Sequence, residues 1–106
     1  MNISPRRQQI EEMLKSDPAD SFLRYALAME LVGEANDIEA AQTFRQIIVE
    51  SPDYVAAYFQ CGQTLVRMGR TEEVVTILQQ GVRAAQKAGD LHAAGEMEGL
   101  LTSLGQ

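Results

Sequence analysis

The sequence has little of what builds covalent frameworks or catalytic centres. Among 106 residues there is one cysteine, Cys61, and one histidine, His92. A lone cysteine closes no intrachain disulfide, so nothing points to an oxidising compartment. Tryptophan is missing and proline occurs three times, which sets aside collagen-like and proline-rich chains. No apolar run approaches the roughly 18 residues of a membrane span. The opening stretch, Met1 to Ile10, runs into charges without the apolar core of a secretory signal, so the cytoplasm is the expected compartment. Positive charge is scarce as well. Nine Lys and Arg against 15 Asp and Glu leave −6, which repels phosphate backbones and anionic lipid. Neither nucleic acid nor a membrane is an expected partner.

What is present is a repeat. The content, 45% hydrophobic and 23% charged, matches a single folded domain at this length. Each proline follows a short polar residue, at Ser4-Pro5, Asp17-Pro18 and Ser51-Pro52, a pairing that predicts helix starts. Pro18 and Pro52 stand 34 residues apart, and a shift by 34 pairs Tyr25 with Phe59, Ala28 with Gly62, Leu31 with Leu65 and Phe44 with Leu78. Small residues meet small ones and large apolar residues mostly meet large ones. Between the starts, apolar residues recur at helical spacing. The pattern predicts helices over 4–15, from Pro18 to about Val32, from Asp37, from Pro52 to Met68, from Thr71 to Gly89, and over 91–104. Gly33 and Asn36 are expected to break the second, Asp37 and Thr71 to cap the third and fifth, and Gly69 to end the fourth. Six helices joined by loops of two to four residues leave no room for a sheet. The fold class is all-α, with consecutive helices antiparallel.

These residues resemble the tetratricopeptide repeat family. Its pattern is an aromatic, a Leu-Gly pair after two residues, a Tyr-like, a small and a Phe-like residue, and a closing proline. The first repeat reads Arg24, Leu27-Ala28, Leu31, Ala40, Phe44 and Pro52; the second reads Tyr58, Cys61-Gly62, Leu65, Val74 and Leu78. Two positions depart. Arg24 stands where an aromatic is expected, and Gln86 replaces the closing proline, which implies a helix about a turn longer that ends at Gly89. The resemblance implies a short right-handed α-solenoid of stacked helix-turn-helix units. Its expected segments are a flanking helix at 1–16, repeats at 17–51 and 52–89, and a capping helix at 90–106.

Catalysis is not expected, and neither is a cofactor or metal. His92 precedes Glu96 by one helical turn, short of the three or four protein ligands of a zinc site, and reads as a solvated residue at a helix start. Cys61 lies on the apolar stripe between Tyr58 and Leu65 and reads as a small buried hydrophobe. Gly62, Gly69 and Gly81 are isolated and flank no Lys-Ser or Lys-Thr, so no phosphate loop is present. Arg6 and Arg7 read as part of a solvated face.

The first helix of each repeat is apolar on two sides. After Leu27, Ala28 and Leu31 pack inward, Phe22, Tyr25, Met29 and Val32 remain; Phe59, Gln63 and Val66 hold the equivalent places. In the family such positions line a concave surface that docks an extended peptide or a helix. The best-known groove of the family grips a terminal carboxylate with Lys and Asn, whereas this chain offers Tyr25, Met29, Gln60 and Gln63 there. An apolar or amphipathic ligand fits better, unless neighbouring helices already cover the strip. The expected function is a non-enzymatic adaptor whose partner is another protein. The alternative is a self-associating subunit, a homodimer paired through its end helices, where Gly95 and Gly99 suit a close approach.

Overall fold

Short polar side chains decide where most of the helices begin. The structure, a computed structural model, describes residues 3–106; Met1 and Asn2 of the expected 1–16 segment lie outside the described residues. Ser4 Oγ accepts from the Arg7 amide at 3.0 Å and opens α1 (Pro5–Ser16), with Pro5 at its first position. Asp20 caps α2 (Ser21–Gly33) through the Leu23 amide at 2.9 Å. Asn36 does the same for α3 (Asp37–Glu50), and Asp90 for α6 (Leu91–Ser103). Between them lie α4 (Val55–Arg67) and α5 (Thr71–Ala88), which start without a side-chain cap. Asp37 and Thr71, expected as caps, are thus the first residues of their helices.

Pro18 and Pro52 do not open helices either. Each stands in a turn closed by an amide three residues after the residue that precedes it: Asp20 N donates to Asp17 O at 3.2 Å and Tyr54 N to Ser51 O at 2.9 Å. A residue before proline is pushed out of the helical region, and Asp17 and Ser51 adopt φ −147° and −138° as they end α1 and α3. Proline then suits the second position of the turn. The helices begin at Ser21 and Val55, and their partners at Asp37 and Thr71, so the offset of 34 residues survives.

Helix ends repeat as well. After α4, Arg70 N reaches Leu65 O at 3.0 Å and Gly69 N reaches Val66 O at 2.9 Å, with Gly69 left-handed at φ 73°. This paired closure satisfies carbonyls that the helix leaves free. After α2 the same two bonds form, Asn36 N to Leu31 O and Ala35 N to Val32 O, but the left-handed residue is Ala35, at φ 59°. Gly33, expected to break the helix, is its last helical residue. α5 has 18 residues against 14 in α3 and stops at left-handed Gly89.

Turns of two to four residues force each helix antiparallel to the last. The helices pack in chain order, α4 also touching α6, into a slab of 39 × 28 × 19 Å. Phe44, Leu31, Ile47, Leu65, Leu78, Val74 and Met97 fill its inaccessible core. Two glycines set the helix separations. A Cβ on Gly62 would stand 2.6 Å from Leu78 Cδ2; one on Gly81 would meet Tyr58 Cβ at 2.6 Å and Met97 Sδ at 2.5 Å.

Arg24, the departure from the aromatic position, takes over the role of its counterpart. Tyr58 Oη donates to Pro52 O at 2.6 Å, and Arg24 Nε donates to Pro18 O at 2.8 Å, tying each helix to the equivalent turn. The arginine also pairs with Glu50 at 2.8 Å and, with Gln46, holds that carboxyl below its usual range. On α1 only Ile10 is buried. Ser4 meets Glu30 and half-buried Arg7 pairs with Glu34 at 2.7 Å, so Arg7 docks α1 on α2. Arg6, 75% exposed beside Glu30, stays on the solvated face as expected.

Three substitutions check this fold. Gly81→Ala forces a Cβ against the stem of Tyr58 and should cost about 1–3 kcal/mol as overpacking, outweighing the roughly 1 kcal/mol of helix propensity that alanine brings. Gly62→Ala meets only the mobile end of Leu78 and should cost less; chemical denaturation giving the reverse order would contradict the geometry. Ala35→Gly should raise stability by about 0.5–1 kcal/mol, since a left-handed L-residue costs more than the added chain entropy of glycine. A lowered melting temperature would show that Ala35 is not left-handed.

Candidate partner-binding cleft

Because alternate helices run in the same direction, α2, α4 and α6 present their N-terminal halves along one face. Between them lies a cleft of about 350 Å³. Tyr25 contributes from α2, and Val55, Ala56, Phe59 and Gln60 from α4. Asp90, His92, Ala93 and Glu96 close the α6 side. Tyr25 is held in place by aromatic neighbours. Its ring meets Phe44 edge-on at 5.8 Å and lies tilted against Tyr54 at 5.5 Å. Burial, with Tyr54 alongside, pushes its phenol above the ordinary 10.0, so the ring stays neutral at physiological pH.

Of the seven residues singled out in the sequence, Tyr25 and Phe59 meet in this cleft and the other five do not line it. Met29 and Val32 are half-buried against the core, as Tyr25 and Phe59 also are. Gln63 is half-buried, Val66 is 40% exposed, and Phe22 is 69% exposed near the start of α2.

The α6 side of the cleft escaped the sequence reading. His92 is solvated as expected, with its side chain 88% exposed and Nε2 3.5 Å from Glu96 Oε1, yet it stands on the cleft rim. The signal was the length of α5. Val55 and Leu91 start their helices 36 residues apart rather than 34. Carrying that extension forward aligns His92 with Ala56 and Phe22, and Glu96 with Gln60. Cys61 lies away from the cleft, fully buried, and burial pushes its thiol up to about 11. It stays protonated and unreactive at neutral pH.

Stacked antiparallel hairpins whose first helices line one face define a helical-repeat protein. A sequence model described as tetratricopeptide repeat matches residues 34–96, and the chain belongs to the tetratricopeptide repeat family. It is similar to a tetratricopeptide repeat domain protein from Salinibacter ruber. In that protein's solution structure the identity is 32%, over 79% of this chain and 85% of the other, with a TM-score of 0.75. Its crystal structure gives 32% over 74% and 89%, at 0.71. A solution structure of a protein from Bordetella parapertussis, 23% identical, shares the fold over 97% of this chain and 90% of its own, with a TM-score of 0.83. No curated protein matches significantly. The fold suggests a role in contacts between proteins, and the family is generally non-enzymatic. Among the described residues no helix is long and apolar enough to cross a membrane.

Proposed function

We propose that the chain is a cytoplasmic, non-enzymatic adaptor that docks a peptide or amphipathic helix of another protein in the cleft between α2, α4 and α6. The observation that carries this reading is the meeting of Tyr25 and Phe59. Two aromatics from equivalent positions of successive units remain partly open to solvent at one cleft, where a core position would be sealed. Small and uncharged neighbours, Ala56, Ala93 and Gln60, leave room beside the rings. Phe22 and Val66, exposed outside the cleft lining, offer further apolar surface to such a partner.

Covering one such ring contributes roughly 1.5–3 kcal/mol before ordering costs, so a few anchors sustain about micromolar affinity. Tyr25 also packs on Phe44, so its truncation lowers stability as well. Phe59→Ala is the cleaner variant. In a pull-down from lysate of the native organism, wild type should retain a protein that Phe59→Ala and Tyr25→Ala/Phe59→Ala lose while circular dichroism shows both still folded. Equal retention by the folded variants would contradict the cleft. Concentration-dependent self-association by light scattering, with nothing specific retained, would favour the homodimer.

A further inference from the structure

We infer that the cleft selects a basic amphipathic helix. The apolar side of that helix seats on Tyr25 and Phe59, and its lysines or arginines reach Asp90 and Glu96. The inference rests on the docking reading above and adds the sign of the partner's charge and its form.

The charge follows from how the carboxylates are matched. Several acidic groups elsewhere meet cations of the same chain, while others, Glu39 and Glu72 among them, stand exposed at helix starts. Arg7 holds Glu34 at 2.7 Å, Arg24 holds Glu50 at 2.8 Å, Arg45 holds Glu73 at 2.6 Å and Arg67 holds Asp37 at 3.2 Å. What marks the cleft is that its acidic groups stand beside an apolar floor. Two carboxylates line it and no lysine or arginine does. Asp90 accepts only the Ala93 amide in its capping role, and Glu96 faces His92, a ring that carries charge only when protonated. An apolar floor with an acidic edge is complementary to a ligand that is apolar on one side and cationic on the other.

The form follows from α6. Gly95 and Gly99 are exposed, and a Cβ on either would meet nothing within 4 Å. Packing within the chain therefore does not require them, although glycine is the poorest helix former after proline. Helical spacing puts His92, Gly95, Glu96 and Gly99 on one side of α6, the side that reaches the cleft. Without side chains at these two exposed positions, the backbone of a second helix can approach α6 closely beside Glu96, as in helix-in-groove recognition.

The test is fluorescence anisotropy with two labelled synthetic amphipathic peptides that share a leucine face, one carrying lysines and the other glutamates opposite it. They are titrated with wild type, with Asp90→Asn/Glu96→Gln, and with Glu39→Gln/Glu72→Gln, which removes the same charge from the exposed starts of α3 and α5. Asn at position 90 keeps the helix cap. The lysine peptide should bind wild type, weaken as salt rises, and lose about tenfold with the cleft pair but less than about twofold with the control pair. The glutamate peptide should bind at least about tenfold more weakly than the lysine peptide. Equal losses from both neutralised pairs, or equal binding of both peptides, would overturn the inference, as would binding of neither. Equal binding of both peptides that Phe59→Ala abolishes would leave the docking reading intact and remove only the charge selection. Binding that responds to Asp90 and Glu96 but not to Phe59 would instead remove the docking reading.

Discussion

The architecture depends on one close approach, the contact of α5 with α4 and α6 at Gly81. A side chain there would press on Tyr58 from one helix and Met97 from the other. Its absence lets α5 lie low enough for both neighbours to close over it, which brings α6 alongside α4. The cleft is a consequence. Phe59 follows Tyr58 on α4, and Ala93 and Glu96 lie in the turn of α6 just before Met97. Gly62 does the same for the α4–α5 hairpin, where Leu78 occupies the space that a side chain would need. Close-packed interiors transmit such small differences in volume into helix position.

Around that contact, the two repeats fill equivalent roles with different chemistry. Arg24 and Tyr58 share no side-chain type, yet each ties its helix to the carbonyl of the equivalent proline. The arginine brings a second partner, Glu50, which the tyrosine does not need. Ala35 and Gly69 likewise close their helices in the same hydrogen-bond pattern, one with a strained L-residue and the other without. The repeat conserves positions and bonds rather than residues. That tolerance leaves the exposed side of α2, α4 and α6 free to vary, aromatic toward α2 and acidic toward α6.

Much of the fold was legible because it rests on local periodicity. The stripes at helical spacing, the offset between Ala28 and Gly62 and between Phe44 and Leu78, and the longer fifth helix all appear in the sequence and in the structure. The errors arose where one residue type serves two local geometries. A polar residue before proline reads as a helix cap at Ser4, where it is one, and equally at Asp17 and Ser51, where it ends the preceding helix. Gly33 drew attention as a breaker while Ala35 took the left-handed position, since a paired closure can hold alanine there. Of the cleft, the pairing of Tyr25 with Phe59 was visible as a repeat correspondence. Asp90, His92 and Glu96 were not, because the extra residues of α5 shift their register and because their place depends on a contact across the stack.

The face shared by α2, α4 and α6 is the proposed meeting place of this protein and its partner. A photoreactive amino acid at Gln60, which lines the cleft, and another at Val49, exposed on α3, test it inside the cell. A discrete crosslinked protein is expected from position 60 and none from position 49. A crosslink from position 49, with none from position 60, would place the partner on the outer helices and contradict it.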